Sequence, residues 1–263
     1  MSSTPWLTKT VPALAQKPVF RLGLAPNYGI DDAGVRAAFE RGINYVFWTP
    51  TMRKVTPAMR DRLKQDRESV VVASGPTFGF FRFNIQSGIE RILKRLDTDY
   101  LDVFQIFWEG TTSRLSPAVL EAMLKLKDEG KVRHLGISIH DRERAGQLAE
   151  DSALDLLMIR YNAAHPGAER DIFPHLARRQ PAVVAYTATR WGKLLRRPRG
   201  WEGPVPTAAD CYRFCLSNPH VDVTLCGPKS LVQLDENLAG LQRGPMDADE
   251  LRWIRDFGKV VHG

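Results

Sequence analysis

The amino-acid sequence predicts a single α/β domain folded as a closed (β/α)8 barrel, and three observations lead there. The 263 residues fall within the usual size of one such barrel. Eight short apolar runs, mostly β-branched as strands buried on both faces should be, alternate with amphipathic helical segments along the whole chain. The turn after the first run, Leu24-Ala-Pro-Asn-Tyr-Gly29, lacks the Gly-rich phosphate fingerprint that an open doubly wound sheet carries there.

In order, the predicted strands are Val19–Leu24, Ile43–Trp48, Ser69–Ser74, Leu101–Phe107, Val132–Ser138, Leu154–Arg160, Ala182–Thr187 and Val221–Cys226. Between them, helix starts are marked by Asp31-Asp32 before Ala33–Arg41, Thr56-Pro57 before Ala58–Lys64, Ser116-Pro117 before Ala118–Asp128, and Thr207 before Ala208–Leu216. Gly42 and Gly130 follow two of these helices, where glycine can take the left-handed turn that ends them. No repeat, low-complexity tract or linker interrupts the series. Residues 1–263 therefore read as one barrel domain, with 1–17 an N-terminal extension and 188–206 a long loop after the seventh strand.

Apolar residues at 43% and charged residues at 25% supply enough core for folding without disulfides or metals. The net charge of +7 is spread over every helical segment and interleaved with acids, which argues against nucleic acid and toward a phosphate-bearing small ligand. Its densest stretch, Lys193-Leu-Leu-Arg196-Arg197-Pro-Arg199, reads first as a solvated loop. Three cysteines, Cys211, Cys215 and Cys226, offer neither a disulfide framework nor zinc spacing. With no signal-like N-terminus and no window of 18 apolar residues, no membrane partner is expected and the expected location is cytoplasmic.

Ligands of such barrels sit at the carboxyl ends of the strands. Several segments there carry text of one kind: Ala38-Phe-Glu-Arg-Gly-Ile-Asn44, the run from Leu93 to Gln105, Glu129-Gly-Lys-Val-Arg-His-Leu-Gly-Ile-Ser138, Tyr161-Asn162, and the run from Gly227 to Leu238. Together, in order from about Arg21 to about Leu241, they resemble the aldo-keto reductase family. The resemblance implies a barrel of aldo-keto reductase type that binds NADP(H) and reduces carbonyls with an Asp, Tyr, Lys and His. Its tyrosine donates the proton, and a phenol near pKa 10 does so poorly near neutral pH unless a cation such as that lysine lies close.

At the matching positions this chain departs from the pattern. The family's Asp aligns with Trp48 in Phe47-Trp-Thr-Pro50, its Tyr near Arg53, its Lys with Gly75 in Ala73-Ser-Gly75, and its His with Phe107 in Gln105-Ile-Phe-Trp108. Proton transfer contributes roughly 10²–10⁴ in rate, so ordinary carbonyl reduction is not expected here. Ser138 matches a carboxamide-holding serine, while Ile139 and Met158 replace the family's amide-reading Asn and Gln. Tyr186 matches the tyrosine that stacks on nicotinamide, Gly192 and Lys193 the segment over the pyrophosphate, and Lys229 and Ser230 the 2′-phosphate contact. Gln233, Glu236 and Asn237 follow at adenine-contact spacing. Read without the family, Lys229 and Ser230 are also a plain helix cap with a solvated lysine.

Trp48, Phe107 and Trp108 suggest an aromatic pocket for a planar or apolar ligand, or simply a filled cavity. Tyr28, Arg53, Glu109 and His140 are the acid–base candidates near the mouth. They form no known constellation, and each also reads as an ordinary surface group. No metal site is expected, because His134 and His140 lack a carboxylate at ligand spacing. Two readings result: a catalytically degenerate homologue holding NADP(H) or a related nucleotide for sensing, regulation or scaffolding, and an enzyme with relocated acid–base groups. A protein partner is left open.

Overall fold

The computed structural model describes residues 5–14 and 17–262. Eight parallel strands close into a barrel: β3 (Leu22–Leu24), β4 (Tyr45–Phe47), β5 (Val71–Ser74), β6 (Leu101–Glu109), β7 (Val132–Ile139), β8 (Leu156–Arg160), β9 (Ala182–Tyr186) and β10 (Val223–Cys226), which pairs back onto β3. Around it run α1 (Asp32–Glu40), α2 (Thr56–Gln65), α3 (Arg82–Leu96), α4 (Pro117–Asp128), α5 (Arg142–Glu150), α6 (Ala168–Asp171), α7 (Ala208–Ser217), α8 (Leu231–Leu241) and α9 (Ala248–His262). The sixth helix shrinks to one turn followed by a 3-10 turn at Phe173–Leu176, and α9 adds a helix beyond the eight-fold alternation. Among the described residues no helix is long and apolar enough to cross a membrane.

Three of the four marked helix starts follow the side chains that mark them; Thr56 instead lies in the first turn of α2 and donates its hydroxyl to the Met52 carbonyl at 3.0 Å, so it caps nothing. Asp31 accepts from the Gly34 amide at 2.8 Å, Ser116 from that of Val119 at 3.3 Å, and Thr207 forms a reciprocal box with Asp210. Gly42 and Gly130 adopt φ of +91° and +72° just past α1 and α4.

The first predicted strand, Val19–Leu24, is corrected by the structure. Pro18–Phe20 is β2, which pairs antiparallel with β1 (Thr8–Thr10), and only Leu22–Leu24 joins the barrel. Arg21 makes the break. Its guanidinium donates to the carbonyls of Trp6, Leu216, Val221 and Asp222, and its amide to that of Leu7. Those bonds satisfy loop carbonyls that a continuous strand would leave bare. Val11, Leu14 and Val19 of the hairpin region then pack with Tyr45, Val71 and Val103 as a plug in the amino end of the barrel.

Strand alternation divides the core in two. Tyr45, Phe47, Ala73, Met158, Val184 and Tyr186 belong to the barrel interior. Val46, Trp48, Val72, Ile106, Ile137 and Ile159 belong to the layer between sheet and helices. With the amino end plugged, the carboxyl ends of the strands form the other rim, the mouth of the barrel.

Candidate functional site

Inward positions at the strand ends define the mouth. On β4 and β6 they are Phe47 and Phe107, whose rings meet edge to face at 5.3 Å between centroids. Between them, at the end of β5, stands Gly75. A Cβ built there would lie 1.8 Å from the carbonyl oxygen of Gln105 and 3.2 Å from Cζ of Phe107. No side chain of any kind fits at this position while β6 and the Phe107 ring stay where they are.

Trp48 is not part of this wall. It is one residue out of phase with Phe47, fully buried in the helix-facing core with Val46, Met52 and Met59, so the aromatic pair at the mouth is Phe47 with Phe107. Trp108 is also displaced from the floor. The register of β6 shifts between Ile106 and Glu109, Trp108 takes φ of +46°, and its ring is left about half exposed on the rim.

The four acid–base candidates separate. Arg53 points into a groove of about 660 Å³ on the outer flank, shared with Arg60, Asp61 and Arg95. Glu109 accepts the Leu115 amide at 2.8 Å, stapling the turn after β6, and burial pushes its carboxyl above the ordinary range. Tyr28 packs against Gly227, where a Cβ would come 2.2 Å from Cδ2 of the ring, two residues before Lys229. His140 alone meets another predicted site residue: its Nε2 lies 2.8 Å from the hydroxyl of Tyr186.

Around that contact the residues of β7, β8 and β9 converge. Ser138, two residues before His140, is fully buried, and among the described residues its hydroxyl has no hydrogen-bond partner of good geometry, though its nearness to the Tyr186 hydroxyl works against the effect of burial there. Burial nonetheless pushes that phenol up to about 12, with the Arg160 guanidinium pulling the other way. Burial and then the same guanidinium lower the basicity of His140. Arg160 and Phe47 were not singled out from the sequence. A two-residue step inward, from Met158 and from Tyr45, would have found both.

At the far side of the mouth Ser230 caps α8 by accepting the Gln233 amide at 3.3 Å, while the Gln233 side chain accepts the Lys229 amide at 2.9 Å. Lys229 and Glu236 are exposed and Asn237 is buried. The loop after β9 is held in an uncommon shape: Thr187, Arg190 and Trp191 take φ of +56°, +50° and +52° before Gly192 at +80°. Left-handed turns at three side-chain-bearing residues store strain of the kind that gathers at ligand clamps. Lys193, next in the chain, is exposed.

Comparison with known proteins adds a family. The model described as "Aldo/keto reductase family" matches residues 32–207. Over 110 residues the chain is 32% identical to methylglyoxal reductase YeaE of Escherichia coli (strain K12), a match that takes in 41% of this chain and only 38% of that protein. It is 23% identical over 250 residues to L-galactose dehydrogenase of Arabidopsis thaliana, covering 80% of this chain and 77% of that one. Among solved structures, the holo form of an aldo-keto reductase from Bacillus halodurans superposes with a TM-score of 0.79 at 22% identity, covering 95% of both chains. An aldo/keto reductase from Klebsiella pneumoniae, solved with NADP and acetate, does so with a TM-score of 0.76 at 22% identity and the same coverage. At that identity the structures speak for the fold.

Proposed function

Because the chain belongs to the aldo/keto reductase family, we propose that it binds NADP(H) or a related nucleotide at the barrel mouth without the family's usual carbonyl-reducing chemistry, and serves in sensing, regulation or scaffolding. The single observation that carries the second half is Gly75. The cation that would prime a phenol aligns with a position that has no room for a Cβ, and the Phe107 ring fills the space beside it.

The nucleotide half rests on fit. Lys229 and Ser230 stand at the start of the 11-residue α8, where exposed amides, a cation and a hydroxyl suit a phosphate. The exposed Tyr28 ring, packed against Gly227 two residues before Lys229, offers a surface for a sugar or base. At the opposite end Ser138 has a buried hydroxyl to spare for a carboxamide, beneath the Tyr186 ring. Bound NADPH would supply a hydride; what this chain contributes is the cradle. Fluorescence or calorimetric titration with NADPH tests it: saturable binding is expected, and none at about 1 mM cofactor would sink the reading.

A second reading, an enzyme with relocated proton transfer, is favoured by the 2.8 Å contact between His140 and Tyr186. A carbonyl screen with NADPH, comparing the natural chain with His140→Ala and Glu109→Gln, decides. A rate lost in His140→Ala supports it. Equal background rates in all three count against it.

A further inference from the structure

We propose that the ends of β7, β8 and β9 form an oxyanion subsite, built on Arg160, for the carboxylate or phosphate of a small ligand other than the nucleotide. Arg160 is the last residue of β8 and stands in register with Tyr186 on β9. Ser138 on β7 is in register with Met158, one inward step below. Arg160 is half-buried, yet among the described residues its guanidinium has neither an ion pair nor a hydrogen bond.

Charges so placed are normally paired, because removing them from water without a partner is costly. Three carboxylates of the elements that follow β7 and β8 are committed elsewhere. Asp141 caps α5, Glu169 takes Tyr161 and Arg255, and Asp171 holds Arg142 and Arg170. What faces Arg160 is instead donor-rich: the Tyr186 hydroxyl, on the neighbouring strand in register with it, with His140 beside that hydroxyl. A guanidinium fork with a phenol and an imidazole matches an acceptor-only group. Lys229, the cation of the proposed nucleotide end, belongs to the loop after β10, two strands further round the barrel.

The subsite does not depend on the nucleotide reading, so its test omits nucleotide. The purified chain is titrated calorimetrically with succinate and, separately, inorganic phosphate, and melted in each against sodium chloride of matched ionic strength. Saturable binding of at least one is expected, with a melting rise beyond the chloride control. Losing the charge-assisted fork should weaken that binding roughly tenfold or more in Arg160→Gln, and Arg160→Lys should restore part of it. Without anion, Arg160→Gln should melt no lower than the natural chain, since it removes an unpaired charge. That separates lost binding from misfolding. Succinate alone marks an organic acid as the ligand class, and phosphate alone a phosphate ester. Binding of neither, equal binding in Arg160→Gln, or a response lost in Lys229→Gln instead overturns the proposal.

Discussion

Gly75 and Phe107 occupy complementary space, so a change at one is felt by the other. Gly75→Ala would put a methyl 1.8 Å from a backbone oxygen, and main chain cannot swing aside as a flexible side chain does. We expect it to destabilise the fold by about 2 kcal/mol or more in urea unfolding, and Gly75→Lys paired with Phe107→His to give no reductase activity. His165 offers a different handle. Burial first, then Arg160, Arg190, His262 and Arg142, lower its imidazole from 6.5 to about 4. The unfolded chain therefore binds that proton more readily. The contribution of His165 is complete above about pH 6.5 and is lost as pH falls toward 4. His134 and His140 are lowered in the same sense. Glu68, Glu250 and Asp171, each held at about 2, lose their contributions only below the usual carboxylate range. The urea midpoint should accordingly drop between pH 6.5 and 5, and drop less in His165→Gln. An equal drop in both would refute the assignment.

Trp48 tests which side of its strand carries the site. If it packs between sheet and helices, Trp48→Ala costs about 3–5 kcal/mol in unfolding while ligand binding per folded molecule stays unchanged. Phe107→Ala should do the reverse, altering binding more than stability. The register of β4 shows why the sequence misleads here: the alternation of apolar runs announces strands, but runs that are apolar on both faces hide which residue points inward. The same continuity concealed the break at Arg21, whose bonds to distant carbonyls leave no local signature, and the meeting of His140 with Tyr186, 46 residues apart. Caps and glycine stops were legible because they act over three or four residues. At the plugged end, Asp102 of β6 accepts the Val72 amide at 3.0 Å and pairs with Lys17 at 3.0 Å and Arg67 at 2.8 Å. Asp102→Ala should cost about 1–3 kcal/mol, because it leaves the buried Val72 amide without its acceptor, while Lys17 keeps Glu68 and Arg67 keeps the carbonyls of Val70 and Tyr100.

Across the whole molecule, charge that looks evenly scattered in one dimension is sorted in three. Acids of the outer helices pair with neighbouring arginines, as Asp32 and Asp61 do with Arg36 and Asp235 with Arg41. Among the described residues, Arg160 and Lys229 at the mouth have no such partners. Entry of an anionic ligand through that end should therefore depend on salt, as screening shortens the field to about 8–10 Å near physiological ionic strength. NADPH affinity should fall as sodium chloride rises, and Lys229→Gln should both weaken binding and flatten that dependence. An unchanged slope in the variant would place the phosphate elsewhere. Any side chain introduced at Gly75, lysine included, would first have to displace Phe107 and the β6 backbone, so the close approach of β5 and β6 acts as a filter on which single substitutions a folded chain can carry.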